Sequence, residues 1–240
     1  MATMAQTGGA GTSTGTPAPG SATDAPGAPG APVRRRRDGE ATRRRVLDAV
    51  VESVLDVGYY KASSNEIARR AGVTWGAIQH LFGSREALML DVLDDGWARL
   101  HAAVANTEID GATLEDRLRE VLEVLASYYE QPSYIVQVQI LLDLSKNPAT
   151  SAETRAAIER HGQELSQAWQ PLFEQALGAA AAANDLSTYA FTALRGYLAS
   201  RVIASTITDM PDDTHARELL VRGVAAAIRA DAVARGLSLD

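Results

Sequence analysis

The sequence predicts an all-α protein, with an N-terminal three-helix domain containing a helix-turn-helix and a larger C-terminal helical domain. Two short amphipathic segments meet at a glycine, and Ser or Thr residues stand where helices are expected to begin. From residue 84 onward, apolar residues recur at helical spacing. Residues 136–140 alternate like a strand, but the sequence offers no partner strand. Because an isolated strand is not viable, a helix is expected there.

Composition divides the chain into three segments. Residues 1–33 are nearly all Gly, Ala, Pro, Ser and Thr, so they cannot bury enough apolar surface to offset ordering, and a disordered tail is predicted. Residues 34–83 are predicted to form the helix-turn-helix domain with a basic arm, its first helix running from about Thr42 to Val57. Residues 84–240 are predicted to form the second domain, because hydrophobic residues, 46% of the chain, are ample for a core.

The helix-turn-helix is predicted from local signals between the first and fourth helices. Ser63 and Glu66 have the spacing of a capping box, which predicts the start of the second helix. Gly72 can adopt the left-handed conformation that ends a helix, and Thr74 is a suitable N-cap for the third. Two short helices should therefore meet at a tight turn.

The two faces of this helix pair differ in character. The residues expected inside are apolar: Ile67, Ala68, Ala71, Val73, Ile78, Leu81 and Phe82. The outer surface of the second helix carries small and hydrogen-bonding residues: Thr74, Trp75, Gly76, Ala77, Gln79 and His80. In DNA-binding helix-turn-helix motifs, the N-terminal end of this helix enters the major groove. An ordinary helical hairpin is the alternative interpretation.

The segment from about Thr42 to Leu93 resembles the DNA-binding domain of the TetR family of bacterial transcription regulators. The matching positions follow one another at unbroken spacing: Gly58-Tyr59, Ser63-Ser64, Glu66-Ile67-Ala68, Ala71-Gly72-Val73-Thr74, Gly76, Ile78, His80, Phe82 and Ser84-Arg85-Glu86-Ala87-Leu88. The sequence departs from the family at Trp75, Gln79 and Leu81. Gln79 replaces a residue that usually contacts phosphate, although Gln can pair with an adenine edge.

Charge also favours a DNA-binding N-terminal end. Residues 34–85 contain eleven Lys and Arg against six Asp and Glu, a net charge of +5, whereas residues 86–240 carry −11. A run of arginines is usually a solvated face, but Arg34–Arg37 adjoin the motif and are expected to reach phosphates or a minor groove. Helix starts also favour phosphate. The expected DNA contacts are Arg43, Arg44, Ser63, Ser64, Thr74, Trp75, Gly76, Ala77, Gln79, His80, Ser84 and Arg85.

The C-terminal domain is predicted to be wholly helical. A long helix follows Ser84, and further helices are expected over residues 113–131, 132–146, 151–177 with a kink at Pro171, 186–208, and 211–235 with Pro211 in its first turn. Intramolecular core is the simpler interpretation of apolar residues on the last two helices. The TetR resemblance implies instead that this pair forms a four-helix bundle in a homodimer, with an interface at Leu194, Leu198, Arg201, Leu220, Val224 and Ile228.

Aromatic residues with polar tips are concentrated in the C-terminal domain and suit a partly wet cavity. A mainly apolar small molecule is therefore expected at Trp97, His101, Tyr128, Tyr129, Gln137, Trp169, Phe173 and Tyr197, with Arg195 also able to orient a polar group. Core packing is the simpler interpretation of each aromatic alone. The resemblance implies that ligand binding shifts the helix beginning near Arg85, so that the two DNA-binding domains lose register with their half-sites.

Catalytic chemistry has little support in the sequence. The four histidines are scattered, zinc-binding and phosphate-loop motifs do not occur, and adjacent carboxylates such as Asp94 and Asp95 diverge on a helix. No catalytic residue, metal site or cofactor is therefore expected. Cysteine is absent, so disulfides are excluded. The sequence contains neither a membrane-spanning apolar run nor a signal peptide, so a cytoplasmic location is expected.

These observations predict a ligand-responsive transcriptional regulator, most simply a repressor. It is expected to bind a palindromic double-stranded DNA operator as a homodimer and to be released by an apolar effector. A small α-helical enzyme and a DNA-independent interaction module are the alternative functions.

Overall fold

Every regular element that the structure describes is a helix. This computed structural model describes the backbone of residues 31–239, and the side chains of residues 38–164 and 167–239. The predicted tail therefore lies outside the described residues, apart from residues 31–33. The helices are α1 (Ala31–Val57), α2 (Ser64–Ala71), α3 (Trp75–Phe82), α4 (Arg85–Ala105), α5 (Leu114–Tyr129), α6 (Pro132–Lys146), α7 (Ala152–Ala168), α8 (Gln170–Leu177), α9 (Asn184–Ser205) and α10 (Thr214–Arg235), with a 3-10 turn at Gly178–Ala182.

The predicted all-α class is confirmed, and most helix boundaries follow local signals. Residues 136–140, which alternate like a strand, lie inside α6. Thr113 and Asp116 form a complete capping box at the start of α5. Among the described helices, none is long and apolar enough to cross a membrane.

Helix α1 begins at Ala31 rather than near Thr42. Four consecutive arginines follow Pro32 and Val33 in its first turns, and because Arg is among the best helix formers, this propensity extends the helix. The predicted basic arm Arg34–Arg37 is therefore helical along its backbone, while its side chains lie outside the described residues.

Two predictions near prolines were wrong. The single helix expected over residues 151–177 is divided at Trp169 into α7 and α8. Pro171 lies in the first turn of α8, where its missing N–H costs no helical hydrogen bond. Helix α10 begins at Thr214, so Pro211 lies in the preceding connection rather than in the first turn.

The first hydrophobic core joins the N-terminal helices to the rest of the chain. Val46, Val50 and Val54 of α1 pack with α2, α3 and the first half of α4, and the same cluster includes Val136 and Ile140 of α6. Burying each such side chain contributes on the order of 1.5–3 kcal/mol. Packing therefore continues past the boundary predicted after residue 83, and residues 39–240 form one compact unit.

The second hydrophobic core is built from α5, α8, α9 and α10. Its fully buried members include Leu118, Leu122, Phe173 and Leu194, and it also takes in Leu100 of α4. Helix α4 therefore contributes to both cores, its first half to the core of the N-terminal helices and its second half to the core of the C-terminal helices. A movement of α4 would disturb both.

Candidate DNA-binding surface and ligand cavity

Side-chain caps position the helix-turn-helix. Ser63 Oγ accepts a 3.2 Å hydrogen bond from the backbone N–H of Glu66, and Thr74 Oγ1 accepts one of 3.2 Å from that of Ala77. Gly72 ends α2 with φ 65°, the left-handed conformation that favours glycine. The predicted tight turn between two capped helices is therefore present.

The predicted capping box at Ser63 is only half formed. The carboxylate of Glu66 does not return to the backbone of Ser63 but accepts hydrogen bonds from Arg69 at 2.7 Å and from Arg70 at 2.6 Å. These two guanidinium groups lower the pKa of Glu66 from 4.5 to about 2. The sequence signal was correct for the helix start but missed the arginines one turn later, which compete for the same carboxylate.

The outer face of α3 is largely as predicted. Thr74, Gly76, Gln79 and His80 are exposed, whereas Ile78 and Phe82 are buried in the first core. Trp75 differs from the prediction, because it is partly buried and packs against that core rather than projecting freely. The candidate DNA-binding surface is therefore a small polar patch that runs along α3 from its capped N-terminus to His80.

Ser84 and Arg85, predicted to contact DNA at the start of α4, also make contacts within the protein. Ser84 caps α4 by accepting a 3.0 Å hydrogen bond from the N–H of Ala87, and as an exposed hydroxyl it can still donate. The guanidinium of Arg85 lies 5.9 Å from the ring centre of Tyr59. Its Nη1 is buried without a hydrogen-bond partner among the described residues.

Arg43 and Arg44 connect α1 to α4. Arg43 forms an ion pair with Asp91 and lies 4.9 Å from the ring centre of Phe82, while Arg44 donates a 2.9 Å hydrogen bond to Asp95. Both arginines remain half exposed, so their predicted DNA contacts stay a prediction. The sequence analysis missed their acidic partners because the pairing joins residues about fifty positions apart.

A cavity of about 340 Å³ lies among α4, α5, α6, α7 and α9. Its lining is mainly aromatic and aliphatic: Leu93, Trp97, Tyr128, Tyr129, Tyr134, Gln137, Val138, Leu141, Leu142, Gly162, Trp169, Phe191 and Arg195. Several rings contact one another, with 5.0 Å between the centres of Tyr129 and Tyr134 and 5.2 Å between those of Trp169 and Phe191. A largely apolar wall with few polar groups is typical of small-molecule sites.

Helices α4 and α6 approach closely beside this cavity. Gly96 has no side chain, and a Cβ there would overlap Oε1 of the buried Gln137. The hydroxyl of Tyr128 donates a 2.5 Å hydrogen bond to the same oxygen. Glycine at this position therefore leaves space for the Gln137 amide, which accepts the hydrogen bond from Tyr128. Burial raises the pKa of Tyr128 well above its ordinary value, so its hydroxyl keeps its proton at neutral pH.

Five of the eight residues predicted to bind a ligand line this cavity: Trp97, Tyr128, Tyr129, Gln137 and Trp169. The other three do not. Phe173 is fully buried in the second core, and Tyr197 donates a 3.0 Å hydrogen bond to Asp213, next to α10. His101 is half-buried on α4 outside the lining. Helical spacing identified aromatic faces, but it did not tell which rings faced the cavity and which the core.

Phe191 is a lining residue that the sequence analysis missed. It lies on α9 one turn before Arg195, whose guanidinium carbon is 5.6 Å from the Phe191 ring centre and 5.7 Å from that of Tyr129. An aromatic four residues before an arginine on one helix is a detectable signal. Its position beside Trp169 depends on how α9 packs in the folded chain.

The predicted dimer-interface residues need correction. Leu194, Leu198, Val224 and Ile228 are at most 2% exposed and belong to the protomer's own second core. Arg201 pairs with Asp213 at 2.7 Å, and Leu220 packs partly against that core. These four apolar side chains are not on the surface, because the apolar stripes of α9 and α10 face the second core. Arg201 and Leu220 are partly exposed, so their place in a dimer interface stays a prediction. The exposed apolar residues of this pair are instead Tyr189, Ile203, Leu219 and Val233.

Metal chemistry has no candidate site in the part of the chain that the structure describes. No group of three or more His, Asp and Glu residues stands close enough to hold a metal ion there. The ionisable residues are instead engaged in ion pairs such as Arg119 with Glu218, at 2.8 Å.

Comparison with known proteins identifies the N-terminal region. Residues 46–92 match the family described as "Bacterial regulatory proteins, tetR family". The chain is 34% identical over 83 residues to the HTH-type transcriptional regulator BetI of Escherichia coli O17:K52:H18 (strain UMN026 / ExPEC), which covers 34% of this chain and 43% of BetI. The chain thus matches less than half the length of such curated relatives. These relatives are transcriptional regulators, in agreement with the prediction of a regulator rather than an enzyme.

Solved structures extend the likeness to the C-terminal helices. NalD of Pseudomonas aeruginosa, the secondary repressor of the MexAB-OprM multidrug efflux pump, is 20% identical with a TM-score of 0.53, over 78% of this chain and 95% of NalD. FadR of Bacillus subtilis, solved with stearoyl-CoA, is 16% identical with a TM-score of 0.55, over 77% of this chain and 96% of FadR. At these identities the likeness shows the fold.

Proposed function

We propose that the chain, whose residues 46–92 match the TetR family of bacterial regulators, is a ligand-responsive repressor of that family. In this proposal it binds a palindromic operator in the cytoplasm as a homodimer, and a mainly apolar small molecule releases it. The observation that carries the proposal is the exposed polar surface of α3, formed by Gln79 and His80 together with Thr74, which caps the N-terminus of the helix. Helices of this kind present such residues to base edges in the major groove.

DNA binding is tested with fragments from upstream of the protein's own gene and its neighbours. Fluorescence anisotropy at several salt concentrations should show saturable binding that weakens as salt rises, because phosphate contacts displace counterions. The double variant Gln79→Ala, His80→Ala should lose preference for the protected fragment over random DNA. Gln167→Ala, at an exposed position on α7, is the matched control. Equal binding of all fragments by the unchanged protein would contradict the proposal.

Dimerisation is proposed through the outward faces of α9 and α10. Ile203 and Leu219 are about half exposed, and Val233 is 80% exposed, on helices that also carry the unhindered Gly196 and Gly223. Small residues let helices approach closely while the large ones supply apolar area. A two-fold pairing would place two α3 helices on one face of the DNA, as a palindrome requires.

Sedimentation equilibrium tests this pairing. The double variant Ile203→Glu, Leu219→Glu should dissociate to monomers with its helical circular dichroism unchanged, because both side chains lie on the protomer surface. Leu55→Glu, at a similarly exposed position on α1, should stay dimeric. A double variant that remains dimeric would place the interface elsewhere.

The effector is proposed to bind in the cavity of about 340 Å³. Leu93 and Trp97 place α4 in the cavity wall, and α4 also packs against α1 and α3. A ligand that fits better when α4 has moved would therefore shift the domain that holds DNA. Such a shift requires unequal affinity for the two conformations.

Apolar metabolites that raise the melting temperature are then tested for release of operator DNA. Val138→Trp, which fills the cavity wall, should abolish the rise, whereas Leu55→Trp, at an exposed position on α1 outside the lining, should not. Saturating ligand that leaves operator affinity unchanged would contradict the effector role.

A further inference from the structure

Three residues that line the ligand cavity, Trp169, Arg195 and Gln137, present polar groups that can only donate a hydrogen bond. Trp169 is 3% exposed, and its Nε1–H is buried without a partner among the described residues. The guanidinium of Arg195 can only donate. Gln137 uses its amide oxygen to accept from Tyr128, and the nitrogen of the same amide can only donate. A ligand that completes this site must therefore bring acceptors.

The charge of the cavity points the same way. None of its thirteen lining residues is Asp or Glu, and one, Arg195, is a cation. Aromatic rings attract cationic ligands, but the faces of Tyr129 and Phe191 already lie within 6 Å of the Arg195 guanidinium. A ligand ammonium would stand beside a like charge with no carboxylate to balance it. An anion would instead pair with Arg195.

The volume of the cavity limits the body of the ligand. About 340 Å³ is near the lower end of the roughly 300–1,000 Å³ typical of small-molecule sites. Rings of Trp97, Tyr134 and Phe191 provide flat apolar walls. One or two fused rings would stack against these walls, whereas a long flexible chain would exceed the space and lose more conformational freedom on binding.

We infer that the effector cavity takes a compact aromatic carboxylate. Its ring system packs among the aromatic side chains, and its carboxylate accepts hydrogen bonds from Arg195 and from Trp169 Nε1–H. This inference rests on the proposed function, because it names the chemical class of the ligand for the proposed effector site.

Three probes with the same ring system and different charge test the inference by isothermal titration calorimetry on the full chain. They are 2-naphthoate, 2-naphthamide and the (2-naphthylmethyl)trimethylammonium ion. We expect 2-naphthoate to bind on the order of tenfold more tightly than 2-naphthamide, and the ammonium ion to bind most weakly. A larger difference is not expected, because Arg195 is also exposed to solvent, which screens its charge.

Substitutions test which residues bind the carboxylate of 2-naphthoate. Arg195→Met should weaken 2-naphthoate about tenfold and leave 2-naphthamide within about twofold. Arg160→Met, an exposed arginine of α7 outside the lining, is the control and should change neither. Trp169→Phe keeps a ring but removes the N–H, so it should weaken both the carboxylate and the amide, each of which supplies an acceptor.

The outcomes separate this inference from the proposed function. Equal binding of 2-naphthoate and 2-naphthamide, tightest binding of the ammonium ion, no binding of any probe, or equal effects of Arg195→Met and Arg160→Met would each overturn it. The expected order of affinities supports it even if bound 2-naphthoate fails to release operator DNA. That last result would count against the effector role alone.

Discussion

The hydroxyl of Tyr59 donates a 2.8 Å hydrogen bond to Oδ2 of Asp143. Tyr59 follows α1 in the DNA-binding domain, and Asp143 lies near the end of α6, whose Gln137 and Leu141 line the cavity. Burial raises the pKa of Tyr59 well above its ordinary value, and the hydrogen bond to the Asp143 carboxylate raises it further. The hydroxyl therefore keeps its proton at neutral pH. This bond is a direct polar link from the ligand-lining helix to the DNA-binding domain.

Tyr59→Phe should lower the free energy of unfolding by about 1–2 kcal/mol, because the part-buried carboxylate of Asp143 loses its donor. Urea denaturation at pH 7 measures the change. Tyr60→Phe is the matched control, since Tyr60 is 89% exposed, and it should unfold like the unchanged protein. Equal stability of the two variants would show that the bond contributes nothing measurable.

Gly96→Ala should alter ligand binding more than stability. The new Cβ would displace the flexible end of Gln137, breaking its hydrogen bond with Tyr128, while alanine favours the helix by about 1 kcal/mol over glycine. We expect a melting temperature close to that of the unchanged protein and a weaker affinity for whichever probe binds the cavity. Gly39→Ala on α1, with open space around its Cβ, should leave that affinity unchanged. Unaltered affinity in Gly96→Ala would mean that the position of Gln137 does not matter to the ligand.

Gln79→Ala should change the base preferred at one operator position. An amide that pairs with adenine discriminates by about 1–3 kcal/mol, and Gln79 is exposed on α3. Competition binding against operators substituted at each position measures this preference. A uniform loss across all sequences would instead indicate that Gln79 contacts the DNA backbone.

Neutralising Arg34–Arg37 as glutamines should weaken operator binding and flatten its salt dependence, by about 0.9 in slope for each phosphate that an arginine no longer neutralises. Deleting residues 1–33, which carry one charged residue, should leave the slope unchanged. The slope is obtained from operator affinities measured at several salt concentrations, from low to moderate. If both proteins keep the full slope, these arginines do not bind phosphate.

Acid should destabilise the helix-turn-helix through Glu66. Its folded-state pKa of about 2 lies below its ordinary 4.5, so the contribution to stability is complete above pH 4.5 and is lost as the pH falls toward 2. Glu66→Gln should lower the urea midpoint of unfolding at pH 7. The urea midpoints at pH 7 and pH 3 should then differ less than they do in the unchanged protein. Glu159→Gln, at an exposed position on α7, is the control. The same pH dependence in both variants would show that the Glu66 ion pairs are immaterial to stability.

Local signals in the sequence predicted the helix-turn-helix well. Ser63, Thr74 and Ser84 were assigned as N-caps, and each accepts a hydrogen bond from the backbone three residues later. Caps can be predicted in this way because both partners lie within one turn. Long-range partners could not be predicted, so the pairing of Arg43 with Asp91 appeared only in the folded chain.

The cavity shows where sequence information ends. Trp97, Tyr128 and Gln137 were predicted to bind a ligand and do line it, but Phe173, chosen by the same criterion, lies in the second core. An aromatic side chain with helical spacing marks a buried face. Whether that face meets a cavity or another helix depends on how the helices cross.

The sequence by itself determined the all-α class, the capped helix-turn-helix and the exposure of Gly76, Gln79 and His80 on α3, because these follow from hydrogen bonds and apolar spacing within a few turns of one chain. Only the tertiary structure decided that Leu194, Leu198, Val224 and Ile228 lie inside the protomer, and that Arg195 lies beside the rings of both Tyr129 and Phe191 at the cavity. Periodicity shows which side of a helix is apolar. The element that covers this side is selected by packing among residues far apart in the chain.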